Sequence, residues 1–377
     1  MPYLGEDTPR LGFGLMRLPR TGGKTDGPID IELAEQLVDT FLENGFSYFD
    51  TAYGYEGSEA AVRETLVDRH PRESYTLATK LPAWKASSAE EAQQMFYTSL
   101  ERTGAGYFDY YLLHNVSETR IWAFDEYGIW DFVQDLKRQG LVRHIGFSFH
   151  DHPSFLCTIL DEHPEMEFVQ LQINYADWYD PVVESEGNYK VARAHGKPIV
   201  VMEPLRGGKL CHLPEPMEKV FKKASPGNSI ASWGIRFATS LPGVITVLSG
   251  MNTMEQMQEN TTVASQYTDG GFSDAELQAL ADVHMMLRKM PRIGCTDCRY
   301  CIEGCPQHIP IPGIFDAYND YLVYGDLAGA RKSYRFATDV DGMGRASDCE
   351  GCGQCEEVCT QDIAIRDRLE EIAAMLE

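Results

Sequence analysis

From Leu11 to about Met290 the chain alternates short apolar runs with amphipathic stretches of ten to fifteen residues. That alternation predicts repeated strand–helix units built on a parallel sheet. Eight apolar runs stand out: Leu11–Met16, Phe46–Asp50, Thr76–Lys80, Tyr110–His114, Val142–Phe147, Phe168–Ile173, Ile199–Met202 and Val244–Leu248. Helical periodicity follows them, as over Ile31–Asn44, Ala89–Thr103 and Glu255–Gln266. Eight units in roughly 280 residues fit an α/β fold, the closed (β/α)8 TIM barrel, whose chemistry collects at the carboxyl ends of the strands. Polar residues do end these runs or fall just past them: Asp50, Lys80, His114, Ser148, Gln170, Glu203 and Ser249. A barrel built for stability alone has no need of them there.

After Pro291 the composition turns to cysteine, glycine and acidic residues, which divides the chain into a barrel domain over 1–290 and a second domain over 291–377. Helical patterns at Ile314–Tyr324 and Leu327–Tyr334 predict a small, mainly helical ferredoxin-like domain. No low-complexity linker separates the two, so they are expected to pack together.

Eight of the ten cysteines form two copies of one spacing, Cys295-x2-Cys298-x2-Cys301-x3-Cys305 and Cys349-x2-Cys352-x2-Cys355-x3-Cys359. This is the ligand pattern of two 4Fe-4S clusters, in which the fourth cysteine usually reaches across to the other cluster. The expected sets are Cys295, Cys298, Cys301 with Cys359, and Cys349, Cys352, Cys355 with Cys305. Structural zinc usually shows CxxC pairs a dozen or more residues apart, which this compressed spacing does not. The 43 residues between Cys305 and Cys349 are too many for a compact ferredoxin hairpin.

With 377 residues and 43% hydrophobic content the chain can bury one large core and a small second one. Its formal charge of -24 argues against nucleic acid or an anionic membrane surface as partner, since either calls for a basic face. No apolar run approaches the ~20 residues that cross a bilayer. The start, Met1-Pro2-Tyr3-Leu4-Gly5-Glu6, carries no charged-then-apolar leader, so a cytoplasmic protein is expected, where a disulfide framework is disfavoured.

The segment Phe49-Asp50-Thr51-Ala52-Tyr53-Gly54-Tyr55, with Lys80 in Ala78-Thr79-Lys80 and His114 in Leu112-Leu113-His114-Asn115, resembles the aldo/keto reductase family over nearly all of the first 290 residues. The whole chain resembles the iron-sulfur branch of that family, with a C-terminal two-cluster ferredoxin-like domain. Carried over by this resemblance, the catalytic tetrad is Asp50, Tyr55, Lys80 and His114; Tyr53 competes locally for the acid role. Singly, each has an ordinary reading as a turn residue, solvated charge, cap or structural histidine. Together their chemistry is coherent. Hydride reduction of a carbonyl leaves an alkoxide that needs a proton, and a phenol of pKa ~10 is a weak acid for that task. Lys80 is expected to lower the Tyr55 pKa, Asp50 to fix the lysine and His114 to orient the substrate oxygen.

The resemblance also implies a dinucleotide site made of Gly14, Met16 and Arg17, Ser148, Gln170, the loop Leu205-Arg206-Gly207-Gly208-Lys209, and Ser249, Gly250, Gln256 and Asn260. Met202 stands where the family commonly stacks a tyrosine on nicotinamide, and Phe149 where it has asparagine. Gly250 and Gln256 stand where basic residues grip a 2'-phosphate. NADP, NAD and flavin therefore all stay open as cofactors beside the two clusters. Glu203 reads equally as an extra acid/base or as a loop cap. Cys157 and Cys211 read as buried small hydrophobes, and His150, His152 and His308 as ordinary polar residues.

The leading expectation is an NAD(P)-dependent oxidoreductase that reduces a small-molecule carbonyl or oxidises an alcohol. Its clusters either exchange electrons with a ferredoxin-like partner or hold the tail. Because hydride carries two electrons and each cluster one, productive coupling needs a converter such as flavin, and no flavin fingerprint is visible. The alternatives are a ferredoxin- or flavin-linked reductive enzyme using cluster electrons, and an electron-transfer protein with a scaffold barrel. Tyr53, Trp84, Trp122, Trp178 and Tyr179 are candidate pocket walls for a sugar or an aromatic carbonyl.

Overall fold

A computed structural model describes residues 4–23, 27–267, 271–295, 297–339 and 342–377. Met1–Tyr3, the first residues of the opening segment considered for a leader, lie outside the described residues. The described chain forms two compact units, one of 4–211 with 227–274, the other of 212–226 with 275–377.

The first unit is a closed barrel of eight parallel strands in sequential order. They are β1 (Leu11–Gly14), β2 (Tyr48–Asp50), β3 (Thr76–Leu81), β4 (Phe108–Val116), β5 (Val142–Phe149), β6 (Phe168–Gln172), β7 (Ile199–Met202) and β8 (Val244–Ser249). All eight expected runs became strands; the differences lie at their ends. At the first run Leu15–Arg17 leave the sheet as a 3-10 turn, which places Met16 57% exposed beyond the strand.

Period-two alternation sorts each strand into outward and inward side chains. Outward residues such as Phe49, Leu77, Tyr111, Phe147, Val169 and Val201 pack beneath the helices in one continuous core. Inward residues Tyr48, Ala78, Tyr110, Leu112, Phe168, Val200 and Ile245 fill the lumen as a separate apolar plug, with Met202 packed against it. Two glycines make that plug fit. A Cβ on Gly146 would lie 2.4 Å from the Phe168 carbonyl oxygen, and one on Gly12 would lie 2.8 Å from Leu248 and 3.2 Å from the Tyr48 ring. Above the plug the alternation continues with polar residues, so Asp50, Lys80, His114, Ser148 and Gln170 lie at the carboxyl end of the barrel.

The helices start where local chemistry dictates. Asp30, Ser88, Ser229 and Thr253 cap Ile31–Glu43, Ala89–Thr103, Ile230–Thr239 and Met254–Gln266, each side chain accepting from a first-turn N–H. No helix among the described residues is long and apolar enough to cross a membrane.

The second unit is helical, as its sequence predicts. Ile311–Tyr324, Leu327–Thr338 and Ile365–Leu376 bury Ile314, Phe315, Tyr318, Tyr334, Leu369 and Ile372, with Cys301 and Cys355 at the edge of the same core. It also takes in Glu215–Ala224 and almost all of Asp274–Arg288, so it starts ahead of the composition change at Pro291.

Candidate functional site

Asp50 ends β2 and Lys80 is the last residue but one of the adjacent β3, and both are buried, at 3% and 2% exposure. The Lys80 ammonium has three N–H donors and uses all of them: to Asp50 Oδ1, to the Thr51 carbonyl at 2.8 Å and to the Tyr55 hydroxyl at 3.4 Å. Gln170 Nε2, from β6 across the lumen, donates to the other Asp50 oxygen at 3.4 Å. Tyr55 reaches this point through a tight turn after β2, in which its N–H bonds the Ala52 carbonyl at 3.0 Å and the Tyr53 N–H bonds the Lys80 carbonyl at 3.2 Å. His114, on β4, presents its ring edge-on to Tyr55 at 5.9 Å between centroids. Trp84, from the loop after β3, meets the same imidazole at 5.6 Å. Asp50 and Lys80 are sealed, whereas Tyr55 and His114 stay partly open to solvent. The four residues expected as a tetrad are therefore one cluster, with two buried members behind two accessible ones.

Burial shapes the electrostatics. It works to lower the Lys80 pKa, but the Asp50 charge and Tyr55 outweigh it and hold the ammonium above its ordinary value. Burial also raises the Tyr55 phenol, and the pull of Lys80 in the other direction does not cancel that rise with Asp50 and Glu203 opposing it. Lys80 thus pulls the Tyr55 pKa down as expected, but burial, with Asp50 and Glu203 added, outweighs that pull and the net direction is upward. Burial, then the Lys80 charge, push His114 well below the usual imidazole range, leaving a neutral ring. Its Nδ1 is buried with no hydrogen-bond partner among the described residues, and so is Gln170 Oε1.

The expected dinucleotide residues gather around the mouth on the β1, β7 and β8 side. Gly14 ends β1 beside Ser249, where a Cβ would come 3.6 Å from the Ser249 carbonyl oxygen. Arg17 lies between two loops: a Cβ on Gly207 would be 3.0 Å from its guanidinium, and one on Gly250 3.7 Å from its own Cβ. Its guanidinium meets Glu203 Oε1 at 3.4 Å, so Glu203 serves as a clamp on the loop. Arg206, Gly207 and Gly208 take consecutive positive φ values of 46, 67 and 96°, a curl that two glycines make accessible. Leu205 packs against Gly234 on the following helix, and Lys209 belongs to the short 3-10 segment Arg206–Cys211. Asn260 donates to Ser249 at 3.1 Å. Gln256 Oε1 is occupied by the Asn252 N–H at 2.9 Å, a capping role. Ser148 Oγ accepts from the Asn115 N–H at 2.7 Å, tying β5 to β4. Phe149 points outward, stacked on Phe155 at 6.1 Å.

Of the candidate aromatic walls, Trp84 touches the tetrad. Tyr53 lies under the Arg102 guanidinium at 4.4 Å, Trp122 packs edge-on with Tyr127, and Trp178 is held by Tyr189 and Phe237 in the helical layer. Tyr179 is 53% exposed and meets Trp178 at 6.5 Å. Trp84 carries Arg120 over its face at 4.5 Å; this arginine at the barrel mouth has no strand-end signature, so the sequence did not reveal it.

In the second unit the cysteines form two groups. Cys295, Cys298, Cys301 and Cys359 line one pocket with Ile311, Phe315, Ile363 and Ile365. Cys305, Cys349, Cys352 and Cys355 line another with Ile309, Ile311 and Leu369. The two motifs share one backbone path. Positive φ flanks the second cysteine of each copy, at Asp297 (54°) and Arg299 (64°) and at Gly351 (73°) and Gly353 (81°), and recurs three residues past the fourth, at His308 and Asp362 (both 50°). Burial raises the Cys301 thiol to about 12 and Cys355 to about 11, neighbouring thiols adding to both. Four sulfurs converging on an apolar pocket need a cationic centre to exist as thiolates, which fits a bound cluster.

A parallel eight-stranded barrel whose strand ends carry a Lys–Asp–Tyr–His cluster, followed by a doubled cysteine motif, defines an oxidoreductase-type barrel with an iron-sulfur extension. The profile of the aldo/keto reductase family matches residues 10–276, and that of the 4Fe-4S dicluster domain matches 294–365. The chain belongs to the aldo/keto reductase family. An L-galactose dehydrogenase of Arabidopsis thaliana is 25% identical over 75% of this chain and 92% of its own. An uncharacterized oxidoreductase of Bacillus subtilis is 25% identical over 69% and 88%. A crystal structure of an aldo-keto reductase from Klebsiella pneumoniae in complex with NADPH shares the fold, with TM-score 0.59 and 19% identity over 74% of this chain and 91% of that one.

Proposed function

We propose that this chain is a carbonyl reductase, working in reverse as an alcohol dehydrogenase, in which Tyr55 exchanges the proton of the substrate oxygen. The observation that carries the reading is Tyr55, a partly open residue at the barrel mouth whose hydroxyl is 3.4 Å from an ammonium that is itself bound to a buried carboxylate. A phenol kept protonated by burial is a proton donor throughout the neutral range. Lys80 stabilises the phenolate left behind, Asp50 holds Lys80 in place, and neutral His114 hydrogen-bonds the substrate oxygen without competing for its charge.

A nicotinamide dinucleotide, when bound, supplies or takes the hydride. Its carboxamide is matched by the unpartnered Gln170 Oε1 and by Ser148, and its pyrophosphate by Arg17, the Gly207-Gly208 curl, Lys209 and Gly250. Met16, Met202 and Leu205 supply apolar contact, and Ser249, Gln256 and Asn260 fix the β8 loop. Two 4Fe-4S clusters take the crossed ligand sets Cys295, Cys298, Cys301, Cys359 and Cys349, Cys352, Cys355, Cys305. This reading is supported by the two four-cysteine pockets. Similarity to an L-galactose dehydrogenase is the reason to test sugars first.

The test is steady-state turnover of aldehydes, ketones and sugars with NADH and NADPH, on anaerobically purified protein, for the wild type and Tyr55→Phe. Removing the proton donor should cost about 10²–10⁴ in kcat with iron content unchanged. Turnover that survives in Tyr55→Phe refutes the proton role. Cluster absorbance that bleaches on adding NADH, with no carbonyl turnover at all, moves the protein to the cluster-driven alternative.

A further inference from the structure

Cys157 and Asp161 lie one turn apart on the helix Pro153–Glu162, so their side chains project from one face. His195 caps the end of the helix Ser185–Ala194, where Gly196, at φ 68°, turns the chain away. The packing of these two helices brings the three side chains together on the outside of the barrel. Cys157 Sγ is 3.8 Å from Asp161 Oδ2 and 3.9 Å from His195 Nε2, and Nε2 is 3.1 Å from Asp161 Oδ1. Cys157 and His195 are half-buried, and Asp161 is exposed.

The imidazole tautomer is set by a second contact. His195 Nδ1 lies 2.8 Å from the Val191 carbonyl oxygen, which can only accept, so Nδ1 carries the hydrogen. In the neutral ring the Nε2 lone pair then faces a carboxylate oxygen at 3.1 Å, two acceptors pointing at one another. Cys157 Sγ lies 3.9 Å from the same nitrogen, so a thiol, an imidazole and a carboxylate converge within 4.8 Å of one another, as ligands of one metal ion do.

We propose that Cys157, Asp161 and His195 form a zinc site separate from both the barrel mouth and the cluster cysteines. Zinc bonds of about 2.3 Å to sulfur and about 2.0–2.2 Å to nitrogen and oxygen, in tetrahedral arrangement, put ligand atoms about 3.5 Å apart for S···N and S···O and about 3.3 Å for N···O. The S···N and N···O separations of 3.9 and 3.1 Å are within a few tenths of an ångström of that figure; the sulfur meets the other carboxylate oxygen, Oδ2, at 3.8 Å, and one ligand atom from each residue lies within 4.8 Å of the others. Thiolate and carboxylate together balance the charge of Zn²⁺, and the Val191 carbonyl is the outer partner that orients a ligating histidine. Three protein ligands leave a fourth position for water. Binding deprotonates Cys157, and the proton goes to solvent.

The experiment uses the full chain with clusters assembled and iron content verified. After equilibration with zinc and removal of the excess, metal analysis should give one zinc per chain above the iron. Titration with Co²⁺ should give a thiolate-to-cobalt charge-transfer band with intense tetrahedral d–d bands, and about one proton released per metal. Cys157→Ser and His195→Ala should weaken zinc binding by more than the ~10–100-fold typical of losing an outer partner. Asp161→Asn, at an exposed position that folding tolerates, should weaken it as well. Iron content should not move in any of them. No zinc in the wild type, or retention at wild-type affinity in Asp161→Asn and Cys157→Ser, overturns the site. If the Cys157 and His195 variants fail to fold, the cobalt spectrum of the wild type and the Asp161→Asn titration decide: a thiolate band weakened in Asp161→Asn supports the site, and its absence refutes it.

Discussion

Replacing Lys80 with methionine tests the electrostatic core of the proposed mechanism, because it removes a charge and leaves a near-isosteric chain. In the wild type Asp50 is 3% exposed and accepts from Lys80 and, at 3.4 Å, from Gln170. Lys80→Met leaves a buried carboxylate with only the long Gln170 bond. Breaking a buried pair by removing one partner costs about 3–5 kcal/mol, because the remaining charge is uncompensated. The variant can escape that cost by taking up a proton. Burial already pushes Asp50 above the usual carboxylate value, and without Lys80 nothing of comparable size opposes it. The sign follows from proton counting: a folded state that keeps a proton the unfolded chain has lost is destabilised as pH rises. The slope is about 1.4 kcal/mol per pH unit while Asp50 stays protonated, or about 2.7 kcal/mol between pH 5.5 and 7.5. Urea unfolding followed by tryptophan fluorescence, at constant m, should show the gap between variant and wild type widening over that range. Adding Asp50→Leu should recover most of the lost stability while activity stays lost, since an apolar replacement of a buried ion pair is often neutral. A gap that does not depend on pH, or a double variant no more stable than Lys80→Met, would refute the reasoning.

The remaining predictions address other parts of the molecule. With its imidazole held well below the ordinary range, His114 should not titrate in the working range, so kcat/KM should show no acidic limb near pH 6.5; a limb there that disappears in His114→Gln contradicts a neutral ring. Crossed ligation predicts that Cys359→Ser and Cys298→Ser damage the same cluster, and Cys305→Ser and Cys352→Ser the other. Low-temperature EPR of the four variants should therefore sort into those two pairs, each losing about half of the iron. Gly146→Ala places a methyl 2.4 Å from the Phe168 carbonyl oxygen, so the barrel should lose roughly 1–3 kcal/mol or more. An unchanged urea midpoint would mean that the lumen is looser than its packing indicates.

Sequence reading reached the barrel because its signal is local. Each strand is a short apolar run with a fixed period, several helices carry a capping side chain, and eight such units close into one fold. Asp50, Lys80 and His114 stood out for the same reason, since strand ends mark the functional face, whereas Tyr55 was chosen over Tyr53 only by the family resemblance. The direction of the Tyr55 pKa was not legible. It depends first on burial, then on the balance between the opposing charges of Lys80 and Asp50, neither of which is written in the order of residues. The aromatic walls divided on the same ground: Trp84 meets His114, whereas Trp178 sits on a strand-following loop but turns to Tyr189 and Phe237.

By itself, then, the sequence determined the elements, the two-part organisation and the kind of ligand that the doubled cysteine spacing serves, because backbone periodicity and cysteine spacing act over a few residues. Tertiary structure decided which side chains meet. Cys359 joins a pocket with Cys295, Cys298 and Cys301, and His195 meets Cys157 from another helix. Such contacts follow from how finished elements pack, and packing is fixed by the shape of the whole buried core, here down to the glycines that admit Phe168 and Tyr48 into the lumen.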